Sequence, residues 1–297
     1  MESAEMNSKP KRSFSRRDFL KVLGIAGLEA ALLAWGGTYV FQVEPESVEV
    51  TQVRLALPRL PKAFSGLRMA QISDIHLGPW MTIARFEHLL EVIAQQAPHL
   101  VAFTGDFVLA YSNMNSIQGL LDASTVGLSW LTAQFPTVGV LGNHDYWYDA
   151  PAVQKSLERS GVRVLVNSVE KFQFGAESIY FAGVDDVMQG EARLPLVLNA
   201  LPVEGCAILL AHEPDFAEVS AESGRFDLQI SGHSHGGQVN LPFIGPPVLP
   251  YLARKYPNGL YKVGNMLQYT NRGVGMTPPF VRLNCRPEIT VFTLESA

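Results

Sequence analysis

Apolar and polar residues follow one another along the chain in a pattern that changes at Leu67. From there on, short apolar runs bounded by polar or glycine-containing stretches predict buried strands. These runs lie at residues 67–73, 100–103, 138–141, 179–182, 207–210, 228–230, 269–270 and 289–292. Between the first two, apolar side chains recur at three- and four-residue intervals from Ile83 to Ala97 and predict an amphipathic helix that ends before Pro98. The pattern predicts an α/β domain whose second half is richer in strands.

The beginning of the chain has a different pattern, first basic and then apolar. The segment Ser15-Arg16-Arg17-Asp18-Phe19-Leu20-Lys21 precedes an apolar stretch from Val22 to Val43, which Glu29 and Gln42 interrupt. This arrangement is typical of a targeting segment, and the paired arginines with their neighbours match the consensus for twin-arginine export. The alternative is an ordinary signal anchor. A helix of this length can span a bilayer, so both cleavage and retention of the segment stay open.

These patterns divide the chain into three parts. We expect residues 1–43 to be a twin-arginine signal or anchor segment, residues 44–66 to be a connecting segment, and residues 67–297 to be the globular domain. The export signal predicts a protein of the bacterial envelope, either periplasmic or anchored in the membrane. It also predicts the twin-arginine translocase as a partner.

Composition narrows the classes of function. Hydrophobic residues make up 47% of the 297 residues, enough to bury a sizeable core. The net charge is −5, and nothing in this balance indicates nucleic acid as a partner. Cys206 and Cys285 lie far apart in the sequence, and we expect both to be buried thiols, although one disulfide bridge stays open.

Five short polar clusters, each at the end of a predicted strand, carry the candidate chemistry. They are Asp74-Ile75-His76, Gly105-Asp106, Asn143-His144-Asp145, His212, and His233-Ser234-His235. Because loops at the carboxyl ends of strands in an α/β sheet converge on one crevice, we expect one shared site. Imidazole, carboxylate and amide oxygen together suit Mn²⁺, Fe²⁺ or Zn²⁺ better than Ca²⁺. One such cluster is weak evidence, but five in a fixed order predict a metal centre.

These clusters resemble the five signatures of the calcineurin-like metallophosphoesterase superfamily, and the resemblance extends from Leu67 to Leu294. Residues 73–78, 232–238 and 287–289 further resemble its YkuE-like bacterial branch, whose members begin with a twin-arginine signal. The resemblance implies a four-layer αββα sandwich, in which two mixed β-sheets are flanked by helices. His99 departs from the pattern, since relatives carry Asp there, but it lies outside the signatures.

The resemblance also implies a role for each site residue. It implies seven metal ligands in two sets that share one carboxylate: Asp74, His76 and His235; Asn143, His212 and His233; and Asp106, which bridges both metals. His144 would face the substrate, where it stabilises the phosphoryl group or protonates the leaving oxygen. Asp145 would hold the ring of His144. A hydroxide that bridges the two metals would attack phosphorus.

We therefore expect a dinuclear metal-dependent phosphoesterase that hydrolyses phosphate esters, with Mn²⁺ as its best activator in vitro. One alternative is a pyrophosphatase of the UDP-diacylglucosamine type, acting on a lipid-linked nucleotide. The export signal counts against this alternative, because nucleotide-activated lipids are made in the cytoplasm. A second alternative is a non-catalytic scaffold, which the complete set of ligands disfavours.

Residues 241–256 form a proline-rich segment directly after the last histidine cluster. Its four prolines predict a loop. The loop carries apolar residues such as Phe243, Val248 and Leu249 and ends in the basic pair Arg254-Lys255. Two interpretations stay open: the loop contacts lipid chains or anionic headgroups, or its side chains fold back onto the edge of a sheet.

Overall fold

The structure is a computed structural model that describes residues 16–110 and 117–297. Ser15 and the basic residues before it, which belong to the expected export signal, lie outside the described residues. The helices are α1 (Arg16–Thr38), α2 (Glu44–Glu46), α3 (Ile83–Gln95), α4 (Ile117–Thr132), α5 (Asn143–Tyr148), α6 (Ala150–Arg159), α7 (Leu194–Ala200) and α8 (Ala217–Glu222). A π-helical turn, Tyr39–Val43, joins α1 to α2, and 3₁₀ turns lie at Lys62–Phe64, Pro214–Phe216 and His235–Gly237.

Twelve strands form two mixed six-stranded sheets. The first sheet has the order β1 (Glu49–Leu57), β12 (Glu288–Ser296), β2 (Leu67–Ile72), β3 (Leu100–Thr104), β4 (Thr137–Val140) and β5 (Arg163–Val164). The second has the order β10 (Gly259–Val263), β11 (Met266–Thr270), β9 (Leu228–Ser231), β8 (Ala207–Leu210), β7 (Glu177–Gly183) and β6 (Ser168–Phe174). The strands at the centre of each sheet, β2 to β4 and β7 to β9, are parallel.

Three layers of core separate the sheets and helices. Helices α3, α4 and α6 pack on the outer face of the first sheet, where Phe86 and Leu121 belong to one buried cluster with Phe103. The inner faces of the sheets pack against each other in a second cluster, which includes Met69 and Phe181. Helices α7 and α8 cover the outer face of the second sheet. The structure thus confirms the expected α/β fold with two mixed sheets between helical layers.

The expectation that residues 44–66 are a connecting segment is wrong, because they contain β1. This strand lies at the edge of the first sheet and runs parallel to β12 over its nine residues. Leu55 and Leu57 are buried between the sheets and alternate with the exposed residues Arg54 and Ala56, the period-two pattern of a half-buried strand. The Arg272 guanidinium holds the start of this pair, with 2.8 Å contacts to both Glu49 and Glu288. The flanking prolines had obscured this alternation.

Helix α1 stands apart from the core. Its apolar side chains, among them Leu23, Leu28 and Trp35, are exposed. The helical stretch Phe19–Glu46 is long and apolar enough to cross a membrane, by length and composition. An N-terminal apolar helix is therefore present, as the sequence predicts. Cys206 and Cys285 are buried free thiols, which confirms the reading of the cysteines.

Candidate metal centre

The nine candidate site residues come together at the carboxyl ends of five parallel strands. Asp74 and His76 follow β2, Asp106 follows β3, and Asn143 to Asp145 begin α5 after β4. His212 follows β8, and His233 and His235 follow β9. The first sheet supplies six of the nine residues and the second sheet supplies three. The site therefore lies across the edge where both sheets end.

Backbone geometry at the site is unusual. Five of the candidate ligands have a left-handed backbone with φ between 50° and 66°, namely Asp74, His76, Asp106, His233 and His235. Such values are uncommon for residues other than glycine and cluster at functional sites. The neighbouring glycines leave room for the ligands. A Cβ at Gly142 would collide with Asp106 Oδ1, and one at Gly105, where φ is +94°, would lie 2.5 Å from His212 Nδ1.

Asp74, His76, Asp106 and His235 form the first group of buried ligand atoms, all within 4.8 Å of one another. Nε2 of His76 lies 3.0 Å from Nε2 of His235. Asp74 Oδ1 is 3.4 Å from Nε2 of His235, and Asp106 Oδ2 is 3.5 Å from Nε2 of His76. Two imidazole nitrogens and two carboxylates therefore face one small volume.

Asp106, His212 and His233 form the second group. Nδ1 of His212 donates to the Thr104 carbonyl over 2.7 Å, which leaves the Nε2 lone pair facing Asp106 Oδ2 at 3.3 Å. Nε2 of His233 donates to the Tyr251 carbonyl over 2.9 Å, which leaves its Nδ1 lone pair free. In proteins, a hydrogen bond of this kind at the other ring nitrogen orients a histidine that binds metal. Asp106 belongs to both groups.

The two groups bury carboxylates beside neutral imidazoles, an arrangement that needs a positive charge for balance. Burial lowers the pKa of His76 and of His233 to about 3, so both rings are neutral and keep a lone pair for a metal. Burial also raises the pKa of Asp74 to about 7. Burial lowers the pKa of His212, but the Asp106 carboxylate outweighs this and holds it well above its usual value, so that a proton there takes the place of a cation.

Orphaned polar atoms provide the most direct test of whether these residues suit a metal. Within residues 16–110 and 117–297, no hydrogen-bond partner is found for five buried side-chain atoms of the candidate residues: His76 Nδ1, Asn143 Oδ1, His144 Nδ1, His212 Nε2 and His235 Nδ1. Buried polar atoms are normally paired, and without a cation His212 Nε2 and Asp106 Oδ2 satisfy one another only when a proton lies between them. The donor set fits two divalent ions that share one carboxylate.

His144 points in a different direction from Asn143. Its backbone N–H donates to Asp106 Oδ1 over 2.8 Å, while its ring packs edge-on against His76 and Trp147, with centroids 4.6 and 4.5 Å away. The ring lines the cleft over the metal ligands. Burial lowers the pKa of His144, so the neutral form is favoured in the free site.

The expectation that Asp145 holds the ring of His144 does not match its hydrogen bonds. Asp145 Oδ1 accepts from the backbone N–H groups of Phe107 and Val108, over 2.8 and 3.1 Å. Asp145 Oδ2 accepts from Gly142 N–H over 3.0 Å. This fully buried carboxylate ties the loop after β3 to the start of α5. It therefore positions Asp106 and Asn143 through the backbone.

A cleft of about 530 Å³ opens over the two groups. Asp106, Asn143, His144, His233 and His235 line its floor. The apolar part of its lining, which we call the apolar wall, is built by Val239, Pro247, Val248, Pro250, Pro279 and Val281. Met188 and Trp147 also face the cleft. The site therefore combines a polar, metal-binding floor with an apolar wall.

Sequence reasoning missed the groups that act through their main chain. The carbonyls of Thr104 and Tyr251 fix the rings of His212 and His233, and main-chain oxygens have no signature in a sequence. The apolar wall was also missed, since its two segments are separated by nearly thirty residues. The prolines that both segments contain were the sequence feature that could have indicated it.

Comparisons with known proteins agree with this site. A family profile described as calcineurin-like phosphoesterase matches residues 67–237. The metallophosphoesterase YkuE of Bacillus subtilis is 36% identical over 96% of this chain and 99% of its own length. The phosphodiesterase YaeI of Escherichia coli is 30% identical over 94% of this chain and 99% of its own. A zebrafish (Danio rerio) transmembrane protein with a metallophosphoesterase domain is 29% identical over 84% of this chain and 58% of its own length.

Replacing Asp145 with Asn tests the role given to this carboxylate. An amide has one acceptor oxygen, so at least one of the three backbone N–H groups would lose its partner in a buried site. We expect Asp145→Asn to lower the free energy of unfolding by about 1–3 kcal/mol and to weaken metal binding. Asp149→Asn, at the exposed N-cap of α6, is the matched control and should change neither, because Asn caps as well as Asp. Unchanged stability and metal content with a lower kcat would instead show that Asp145 acts through His144.

Proposed function

The chain belongs to the calcineurin-like phosphoesterase family and is a metal-dependent phosphoesterase, and we propose that it hydrolyses phosphodiesters with two divalent ions. The observation that carries this proposal is the Asp106 carboxylate, which is common to both groups of ligand atoms. The phosphodiesterase YaeI, similar to this chain along nearly its whole length, supports diesters as the substrate class.

In this proposal, the seven ligands divide as the family resemblance implies. Asp74, His76 and His235 would hold one ion, Asn143, His212 and His233 would hold the second, and Asp106 would be common to both. When bound, the two ions supply the positive charge that activates water and stabilises the phosphoryl oxygens. A set of imidazole, carboxylate and amide ligands favours Mn²⁺, Fe²⁺ or Zn²⁺.

His144 acts on the substrate in this proposal. Its ring lines the cleft beside both ligand groups, and its contact with Trp147 limits the ring to one orientation. In the protonated form it can donate to the leaving oxygen, and in either form an N–H can stabilise the phosphoryl group. Its lowered pKa means that it releases a proton readily once it holds one.

We further propose that the enzyme works at the bacterial envelope and reaches it by the twin-arginine route. The paired arginines and the exposed apolar helix α1 support this. The apolar wall of the cleft supports a substrate that carries an apolar group. A lipid-linked phosphate ester therefore remains the alternative substrate. Nothing in the described residues favours a nucleotide as the other part of such a substrate.

Removal of metal is the direct test of the proposed activity. Exhaustive chelation should abolish hydrolysis of bis-p-nitrophenyl phosphate, and Mn²⁺ should restore the highest rate among the three candidate ions. The measurement pairs turnover with metal content by mass spectrometry. Full activity in protein shown to be metal-free would contradict the proposal.

Two substitutions separate binding of the metals from turnover. Asp106→Asn should weaken both ions and abolish activity, because it removes the shared charge. His144→Ala should keep both ions and lower kcat by about 10²–10⁴-fold, the usual contribution of one positioned acid or charge-stabilising group. His88→Ala, on the exposed face of α3, is the control and should be neutral. The reverse outcome, in which His144→Ala loses metal and Asp106→Asn keeps it, would exchange the two roles.

Substitution of the paired arginines tests the export route. The translocase recognises the guanidinium pair and not charge alone, so Arg16→Lys with Arg17→Lys should hold the protein on the cytoplasmic side. Fractionation of cells that express each form measures this. If the double variant reaches the same fraction as the wild type, α1 is a general signal anchor.

A further inference from the structure

The loop after the last histidine cluster, residues 241–251, carries its large apolar side chains on the outside. We call it the tip loop. Phe243, Ile244, Val248 and Tyr251 are all exposed, and Phe243 fully so. Of the two interpretations of this segment, the one in which its side chains fold back onto a sheet edge is therefore wrong for these residues. Its basic pair contributes less than expected, since Lys255 Nζ is paired with Glu218.

Phe243 occupies a position that does not suit its backbone preferences. Leu241 O accepts from the N–H groups of Ile244 and Gly245, which closes a tight turn with Phe243 near its apex. The φ of Phe243 is +66°, a conformation that favours Gly or Asn and costs free energy for an aromatic residue. A fully exposed ring that the fold holds at such a cost points to a contact outside the chain.

The base of the tip loop is hydrogen-bonded to the segment that receives the end of the N-terminal helix. Asn240 N–H donates to Leu283 O over 2.8 Å, and Leu283 N–H donates to Gln238 O over 2.9 Å. On the other side of this segment, Arg282 N–H donates to Val40 O over 3.1 Å. One extended segment thus lies between the tip loop and the end of the helix, with direct contacts to both.

Contacts on the domain side of α1 place the helix close against it. The Glu44 carboxylate is buried and accepts from Cys285 N–H, Pro45 is buried, and β1 begins at Glu49. A span of a bilayer needs about 20 apolar residues, so a span that begins at Phe19 ends near Thr38. Trp35 and Tyr39 stack there with centroids 5.7 Å apart, the kind of residues that lie at membrane interfaces.

These distances leave little room between the bilayer and the tip loop. Val40, which contacts Arg282, is two residues beyond Thr38, or about 3 Å along a helix. The segment that supports the tip loop would therefore lie at the lipid surface. Val248 both lines the cleft and is exposed, so the apolar wall is continuous from the metal site to the outer face of the tip loop.

We propose that the tip loop is a bilayer-docking surface, with Phe243, Ile244 and Val248 inserted at the interface of the membrane that α1 enters. The mouth of the cleft then faces lipid, and amphiphilic phosphate esters reach the metal site along the apolar wall without leaving the membrane. The statement about esters rests on the proposed phosphodiesterase activity, whereas the docking surface does not.

The position of the tip loop can be measured without reference to activity. Full-length Phe243→Cys is labelled with an environment-sensitive fluorophore and reconstituted in vesicles of phosphatidylethanolamine and phosphatidylglycerol. Val203→Cys is the matched control, since Val203 is exposed in the loop before β8, at the opposite end of that strand from His212. The wild type, whose cysteines are both buried, gives the background of labelling.

The dye at residue 243 should shift to the blue and be quenched by nitroxide-bearing lipids, while the dye at residue 203 should remain as in water. Equal, water-like emission at both positions would overturn the proposal and leave the tip loop to a protein partner. Equal quenching at both positions would also overturn it, because the domain would then contact lipid without a preferred face.

A pair of double variants tests the consequence for substrates. Phe243→Asn with Ile244→Ser removes the apolar tip, and Asn suits the left-handed backbone, so the melting temperature should not fall. Val126→Ser with Val203→Ser removes two exposed apolar groups elsewhere on the domain. The tip variant should lose about tenfold or more in turnover of a long-chain phosphodiester held in vesicles, an amount that corresponds to one large apolar side chain leaving lipid. The control variant should not.

Both variants should hydrolyse soluble bis-p-nitrophenyl phosphate at the wild-type rate. Equal losses on both esters, or a fall in melting temperature, would show that the tip supports the fold and would overturn the docking surface. If wild-type protein with full metal content hydrolyses neither ester, the proposed activity fails, while the fluorescence result still decides the docking surface.

Discussion

The site is organised around the Asp106 carboxylate, toward which the lone pairs of buried histidine rings and a second carboxylate converge. Asp106 is shared by two groups of buried ligand atoms, and the His212 lone pair faces it directly because the Thr104 carbonyl takes the other ring hydrogen. Without cations, this arrangement needs a proton on His212 to balance the Asp106 carboxylate. Two divalent ions would take the place of that proton and turn the converging lone pairs into coordination. The chain belongs to a family of phosphoesterases, and activation of water for attack on a phosphate ester is the chemistry that such a pair of ions would supply.

The ligands are held in unfavourable backbone conformations, and the surrounding fold supplies the stability that keeps them there. Several ligands have left-handed backbones, and glycines such as Gly142 and Gly232 lie where a Cβ would collide with ligand residues or their neighbours. The buried Asp145 carboxylate fixes the loop after β3 to the start of α5. The buried Arg282 guanidinium fixes a second loop, because it donates to the carbonyls of residues 272, 273, 275 and 285. Strain of this kind persists only where tightly packed sheets over-determine the loops. The two sheets provide that rigidity.

The central strands and the ligand clusters could be predicted from the sequence, because buried strands are apolar runs and metal ligands are restricted to a few residue types. β1 was missed, since Leu55 and Leu57 are separated by Ala56 and not by a polar residue, and the strand lies between prolines. The role of Asp145 was mistaken because an acid beside a histidine has two available partners, and only coordinates distinguish a ring from backbone amides. Contacts of the Tyr251 carbonyl and of Val40 are long-range and involve the main chain, so no local pattern encodes them.

The central claim is that Asp106 bridges two metal ions, and electron paramagnetic resonance of the Mn²⁺-loaded protein tests it most directly. A shared carboxylate holds two Mn²⁺ ions close enough for their spins to couple, about 3.5–4 Å in dinuclear sites of this kind. We expect two ions per chain and the spectrum of an exchange-coupled pair. A spectrum of isolated Mn²⁺, with one ion bound per chain at saturation, would contradict it.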